Sequence, residues 1–154
     1  MMGTSGFSTP QEQEVFLRDV PTFEGMLLES GMTIVKLWLD VSKHEQKLRL
    51  SERHTDPLKV LKSSPLDDAA QDKWDDYSAA RDDMLMRTST PLSPWICVRA
   101  DHKQKARLAI LSHLAHTLAP PEIASTVSPP DPAILFRFEA AALKDGRLER
   151  RASA

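Results

Sequence analysis

A chain of 154 residues, 41% of them hydrophobic, is long enough for one domain or a piece of one and rich enough for a real core once its tails are set aside. Its net charge of −2 supplies no global field that would draw it to nucleic acid or membrane, so any anion site must be local. The lone cysteine, Cys97, excludes an internal disulfide and a cysteine-based zinc site and fits a reducing, cytoplasmic setting. No apolar run reaches the ~18 residues of a spanning helix, and the segment MMGTSGFSTPQEQE lacks the basic-then-apolar order of a secretory signal.

Thr9, Pro10 and Glu12 form a helix start with a capping box. Val15, Phe16, Val20, Phe23, Met26 and Leu27 continue at helical spacing, Pro21 is expected to split the stretch into two helices, and Gly31 stops it. MTIVKLWLD, residues 32–40, reads as a strand buried on both faces, as in parallel sheets. Ser42 and Glu45 form a second capping box for a helix from Lys43 to about Arg53. Asp56-Pro57 and Ser64-Pro65 are two more starts. The second opens a long helix with Ala70, Trp74, Tyr77, Met84 and Leu85 on its apolar side and six aspartates on the other. Thr90-Pro91 and Ser93-Pro94 mark a loop, WICV at 95–98 a second buried strand, and Asp101 the cap of a final helix with Ala106, Ala109, Ile110, Leu114 and Leu118 inward. From Ala119 the texture turns proline-rich, a linker, followed by an end that could form a short helix with nothing tying it to the rest. The alternation implies a helix-rich α/β fold with two short parallel strands, one edge of something larger.

Lys43, Lys47, Arg49, Arg53, Lys59 and Lys62 form a basic window opposed only by Glu45, Glu52 and Asp56, and the next helix reverses the balance. On composition alone this is a solvated surface. Arg53, Lys59 and Lys62, however, surround two helix starts, where backbone N–H groups also favour anions. Lys103 and Arg107, on the last helix, are weaker candidates. The five histidines show no metal-ligand pattern, and His113 and His116 read as surface residues. Cys97 reads as a buried structural thiol, and Trp38, Trp74 and Trp95 as core. Arg150-Arg151-Ala152-Ser153 matches a basophilic phosphorylation pattern that occurs often by chance. Neither GxxxxGK[ST] nor GxGxxG occurs.

The segments GFSTPQEQEVFLRDVPTFEGMLLESG (6–31), WLDVSKHEQKLRL (38–50), DPLKVLKSSPLD (56–67), KWDDYSAARDDMLMRTSTPLSPW (73–95) and ADHKQKARLAILSHL (100–114) resemble, in order and spacing, the second half of polyphosphate kinase 2 proteins. The resemblance covers residues 6–118. It implies the C-terminal part of a P-loop kinase-like fold over 1–118, with a helical lid at about 43–90, followed by a linker and unassigned tail over 119–154. It implies phosphoryl transfer between polyphosphate and a nucleoside mono- or diphosphate, with Mg²⁺ in the complete enzyme and no cofactor bound by this chain alone. It assigns Arg49, Arg53, Lys59 and Lys62 to phosphate binding and assigns no catalytic or metal-ligating residue. Leu61 departs from the tryptophan that the family often has, and the phosphate-loop lysine and metal-binding carboxylates have no counterpart. The expectation is a truncated or split enzyme, inactive alone, partnered by an N-terminal half or another copy. The competing expectation is a non-catalytic remnant.

Overall fold

The computed structural model describes residues 8–55 and 73–149. Helix α1 runs Pro10–Glu29 from the capping box: Thr9 Oγ1 accepts the Glu12 N–H (3.2 Å), and the Glu12 carboxylate accepts the Thr9 N–H (2.7 Å). Pro21 lies inside α1 and does not split it. No residue of α1 is buried, so water can meet the carbonyl that proline leaves without a donor. Ser30 caps the helix, and Gly31 turns the chain away with φ +92°, a conformation that glycine adopts without a Cβ penalty.

Strand β1 is Lys36–Asp40, shorter than the expected 32–40, and it is not apolar on both faces. Lys36 and Asp40 are its buried ends, while Leu39 is half exposed. Helix α2, Lys43–Thr55, starts on Ser42, whose Oγ accepts the Glu45 N–H (3.1 Å). The second half of that box differs from expectation. Ser42 N–H donates to Asp101 (2.8 Å), and Glu45 is taken up by Arg49. Asp101 therefore ties the end of one strand to the start of α2 instead of capping the last long helix.

Helix α3, Trp74–Thr88, buries Trp74, Ser78, Arg81, Leu85 and Thr88, one stripe at spacings of three and four. The expected earlier turns of this helix, from Ser64-Pro65 onward, lie outside the described residues. Strand β2, Trp95–Arg99, pairs parallel with β1, Lys36 opposite Trp95 and Asp40 opposite Arg99. Helix α4 is Lys103–Leu118 and α5 the single turn Pro121–Ala124.

For residues 134–149 the expectation of a loose short helix gives way to a third strand. Strand β3, Leu135–Arg137, pairs antiparallel with β2, and a 3₁₀ turn, Ala140–Leu143, follows. The sheet order is β1-β2-β3, so the expected parallel pair stands inside a small mixed sheet. Alternation along β2 feeds two cores. Ile96 and Val98 meet Ala106 and Ala109 of α4 and Leu135; Cys97, on the other face, meets Leu85 of α3 with Phe138, Ala142 and Leu148.

Candidate functional site

In open α/β sheets, ligands bind beyond the carboxyl ends of the strands. At the end of β1 a cleft of about 480 Å³ opens between α2 and α3. Its wall includes Trp38 and Asp40 from β1, Arg49 and Arg53 from α2, and Trp74, Tyr77 and Arg81 from α3. Two of the four sequence-predicted residues, Arg49 and Arg53, are thus brought together on successive turns of α2. Lys59 and Lys62 lie outside the described residues. The weaker candidates, Lys103 and Arg107, line a separate open groove at the start of α4.

Arg49 is also part of the frame. Its Nε donates to Glu45 (2.7 Å), and its Nη2 donates to the carbonyls of Ala100 (2.6 Å) and Asp101 (3.1 Å). This guanidinium staples α2 to the segment after β2 while one side faces the cleft.

Sequence reading missed Arg81 and Asp40. The Arg81 side chain is 5% exposed, and it donates from Nη1 to Asp40 (3.3 Å) and from Nε to Asp82 (2.8 Å). Charges so buried persist only when paired and hydrogen-bonded. Asp40 is satisfied on both oxygens: Oδ1 also accepts Trp38 Nε1–H (3.2 Å), and Oδ2 accepts the Glu149 backbone N–H (2.7 Å). The available signal for Arg81 was its place on the Trp74–Ser78–Leu85 stripe.

Other candidates separate from the cleft. Cys97 is fully buried, and burial, reinforced by the charge of Asp40, pushes its thiol up to about 12; it is a packing residue, as expected. Burial lowers the His113 pKa, with a smaller contribution from His116. Among the described residues no three of His, Cys, Asp and Glu come together to hold a metal ion, and no helix is long and apolar enough to cross a membrane.

The family model of polyphosphate kinase 2 matches residues 3–126. The chain is 45% identical over 113 residues to a GDP-polyphosphate phosphotransferase of Mycobacterium tuberculosis, covering 73% of this chain and 38% of that one. It is 41% identical over 133 residues to NDP-polyphosphate phosphotransferase 2 of Ruegeria pomeroyi, covering 86% and 39%. The crystal structure of polyphosphate kinase 2 from Arthrobacter aurescens TC1 superposes with a TM-score of 0.68 at 36% identity, over 87% of this chain and 45% of that chain. The chain thus spans less than half the length of these relatives. A basic cleft at the strand ends, flanked by two helices, sits within a sequence that matches one family model over most of its length: the chain belongs to the polyphosphate kinase 2 family.

Proposed function

We propose that this chain supplies the basic, lid-side wall of a polyphosphate:nucleotide phosphotransferase. The observation that carries the reading is the convergence of Arg49, Arg53 and Arg81 on one cleft in a chain whose net charge is −2. Phosphoryl transfer needs little covalent help from protein; it needs phosphates aligned and their charge offset. Guanidinium groups suit that task because their planar donors match phosphate oxygens. In this reading Arg53 and Arg81 face the polyanion from opposite helices, Arg49 holds α2 in place, and the family resemblance adds Lys59 and Lys62 as phosphate-binding residues. Closure of such a wall expels water and strengthens each ionic contact.

The 154 residues contain no GxxxxGK[ST], so the electrostatic work of a phosphate loop falls to another segment or chain. β1 is an edge strand of the described sheet, and α1 leaves Phe16, Phe23 and Met26 exposed; both features suit a covering α/β half that carries that loop. Among the described residues no three of His, Cys, Asp and Glu lie together to hold a metal ion, so the Mg²⁺ ligands are expected outside them. By itself the chain transfers no phosphoryl group, and it works in the cytoplasm, where the nucleotides are.

A second reading, a non-catalytic remnant, draws on the protein partners already held by Arg49 and Arg81. Titration with labelled polyphosphate at low and moderate salt separates the two. Replacement of Arg53, Lys59 and Lys62 by Ala is expected to weaken binding at least about tenfold, since ionic contacts to phosphate dominate such affinity. The same change at Arg18, Arg137 and Lys144, which do not line the cleft, should leave it nearly intact. Equal losses from the two sets, or a folded chain that binds no polyphosphate, support the remnant.

A further inference from the structure

Asp40 is the one acidic residue among the described residues that line the cleft between α2 and α3. A carboxylate on the wall of an anion site repels the ligand unless its charge is committed elsewhere. Both oxygens of Asp40 are committed, and the residue is only 8% exposed. The Oδ2 partner is the backbone N–H of Glu149, at 2.7 Å. That donor comes from beyond residue 126, where the family match ends.

The donor is held by the residues that lead into it. Leu148, beside it, is 2% exposed and packs with Phe138 and Ala142 against Cys97 and Leu85. Gly146 turns the chain with φ +87°, and Arg147 donates to Asp145 (2.9 Å) and Glu139 (3.1 Å). The segment is therefore anchored independently of Asp40, as a latch must be if it is to position another group.

We propose that the C-terminal segment is a built-in positioning element of the cleft: the Glu149 N–H fixes Asp40, and Asp40 in turn holds Arg81 against the cleft. The proposal rests on the reading of that cleft as a polyphosphate site. Without the Glu149 donor, Oδ2 is left buried and unpaired. It then either takes a further N–H of Arg81, drawing the guanidinium inward, or turns toward the cleft and adds its charge to the wall. Both movements weaken a bound polyanion. Linkage requires the reverse effect as well, so bound polyphosphate tightens the latch.

Glu149→Pro removes the donor, whereas Glu149→Ala removes only the side chain. Each variant is titrated with polyphosphate, and the indole N–H resonance of Trp38, which donates to the same carboxylate, is followed by NMR and assigned with Trp38→Phe. Glu149→Pro should weaken polyphosphate binding roughly three- to tenfold, the scale of one hydrogen bond, and shift the Trp38 resonance; Glu149→Ala should do neither. Equal binding by the two variants, or a loss of binding with the Trp38 resonance unmoved, overturns the proposal. If Glu149→Pro does not fold, exchange of the Glu149 amide in the unmodified chain decides instead. Saturating polyphosphate should slow it by a similar factor, and unchanged exchange overturns the latch. Absence of polyphosphate binding by the unmodified chain overturns the functional reading, while a Trp38 shift in Glu149→Pro still establishes the contact from the C-terminal segment to Asp40.

Discussion

Helix α1, which lies along α3, and the segment 134–149 are attached to the rest of the fold by different means. α1 is 20 residues long and has no buried side chain; Phe16, Phe23 and Met26 are each at least 60% exposed. The shorter C-terminal segment places Leu135, Phe138, Ala142 and Leu148 in the core. Two ion pairs tie α1 to its neighbours. Glu24 accepts from Lys36 Nζ at 2.8 Å, with the two side chains 13% and 7% exposed, and Glu14 pairs with Arg87 at 2.6 Å on the surface. Apolar burial scales with area and tolerates small shifts, whereas a buried ion pair depends on keeping both partners. The two regions should therefore fail differently.

The largest effects should come from the C-terminal segment. Phe138→Ala and Leu148→Ala each leave a cavity beside Cys97 and should cost about 3–5 kcal/mol in urea unfolding. Phe16→Ala and Phe23→Ala should stay within about 0.5 kcal/mol. A large loss at Phe23 would mean that the α1 face is covered in solution, and the contrast would collapse.

The next effect sharpens the account of α1. Glu24→Ala leaves the Lys36 ammonium buried with only the Thr88 carbonyl (2.6 Å) and the face of Trp95 (5.2 Å), and should cost about 3 kcal/mol, as removal of one member of a buried pair does. Glu14→Ala, in an exposed pair, should leave the unfolding midpoint unchanged. If both changes were silent, α1 would be held by something other than charge.

Local signals predicted both ends of α1 because these are set by nearby residues, Thr9 with Glu12 and then Gly31, but they wrongly split it at Pro21. The same holds for the Ser42 start of α2 and for β2. The signals could not say that α1 would lie on the surface, since its apolar spacing is the same whether or not a partner covers it. β3 escaped because three residues, Leu135–Arg137, are too few to show alternation, and its pairing with β2 is remote in sequence. Arg81 escaped because the aspartates around it suggested a solvated face; the stripe it shares with Trp74 and Leu85 was the better guide. Arg49 and Arg53 were legible from the family pattern, but the staple from Arg49 to Ala100 was not, because it joins segments on either side of the whole α3 region. Lys36 was hidden inside an apolar run whose partner, Glu24, sits on another element.

The smallest effect concerns a region outside both. His113 on α4 has its pKa lowered from the ordinary 6.5, first by burial. The folded state thus prefers the neutral ring. Its contribution is fully present above 6.5 and is lost as pH falls through that value toward the depressed one. Thermal midpoints should fall slightly over that range, and His113→Gln should flatten the slope. A midpoint that rises as pH falls would reverse the sign.

The mixed sheet also bears on how the chain is made. β2 has a neighbour on each edge, but β1 leaves the ribosome long before β2 exists, and β3 emerges only after α4. At a synthesis rate of about 5–20 residues per second, Leu37, Trp38 and Leu39 wait several seconds for β2 to emerge. An unpaired apolar strand in that interval invites pairing with another nascent chain. The charged residues at its two ends, Lys36 and Asp40, work against parallel stacking, because a copy laid alongside in register would bury like charges together. Two residues that later carry deeply buried ionic contacts in the folded protein are thus its guard while it is still being born.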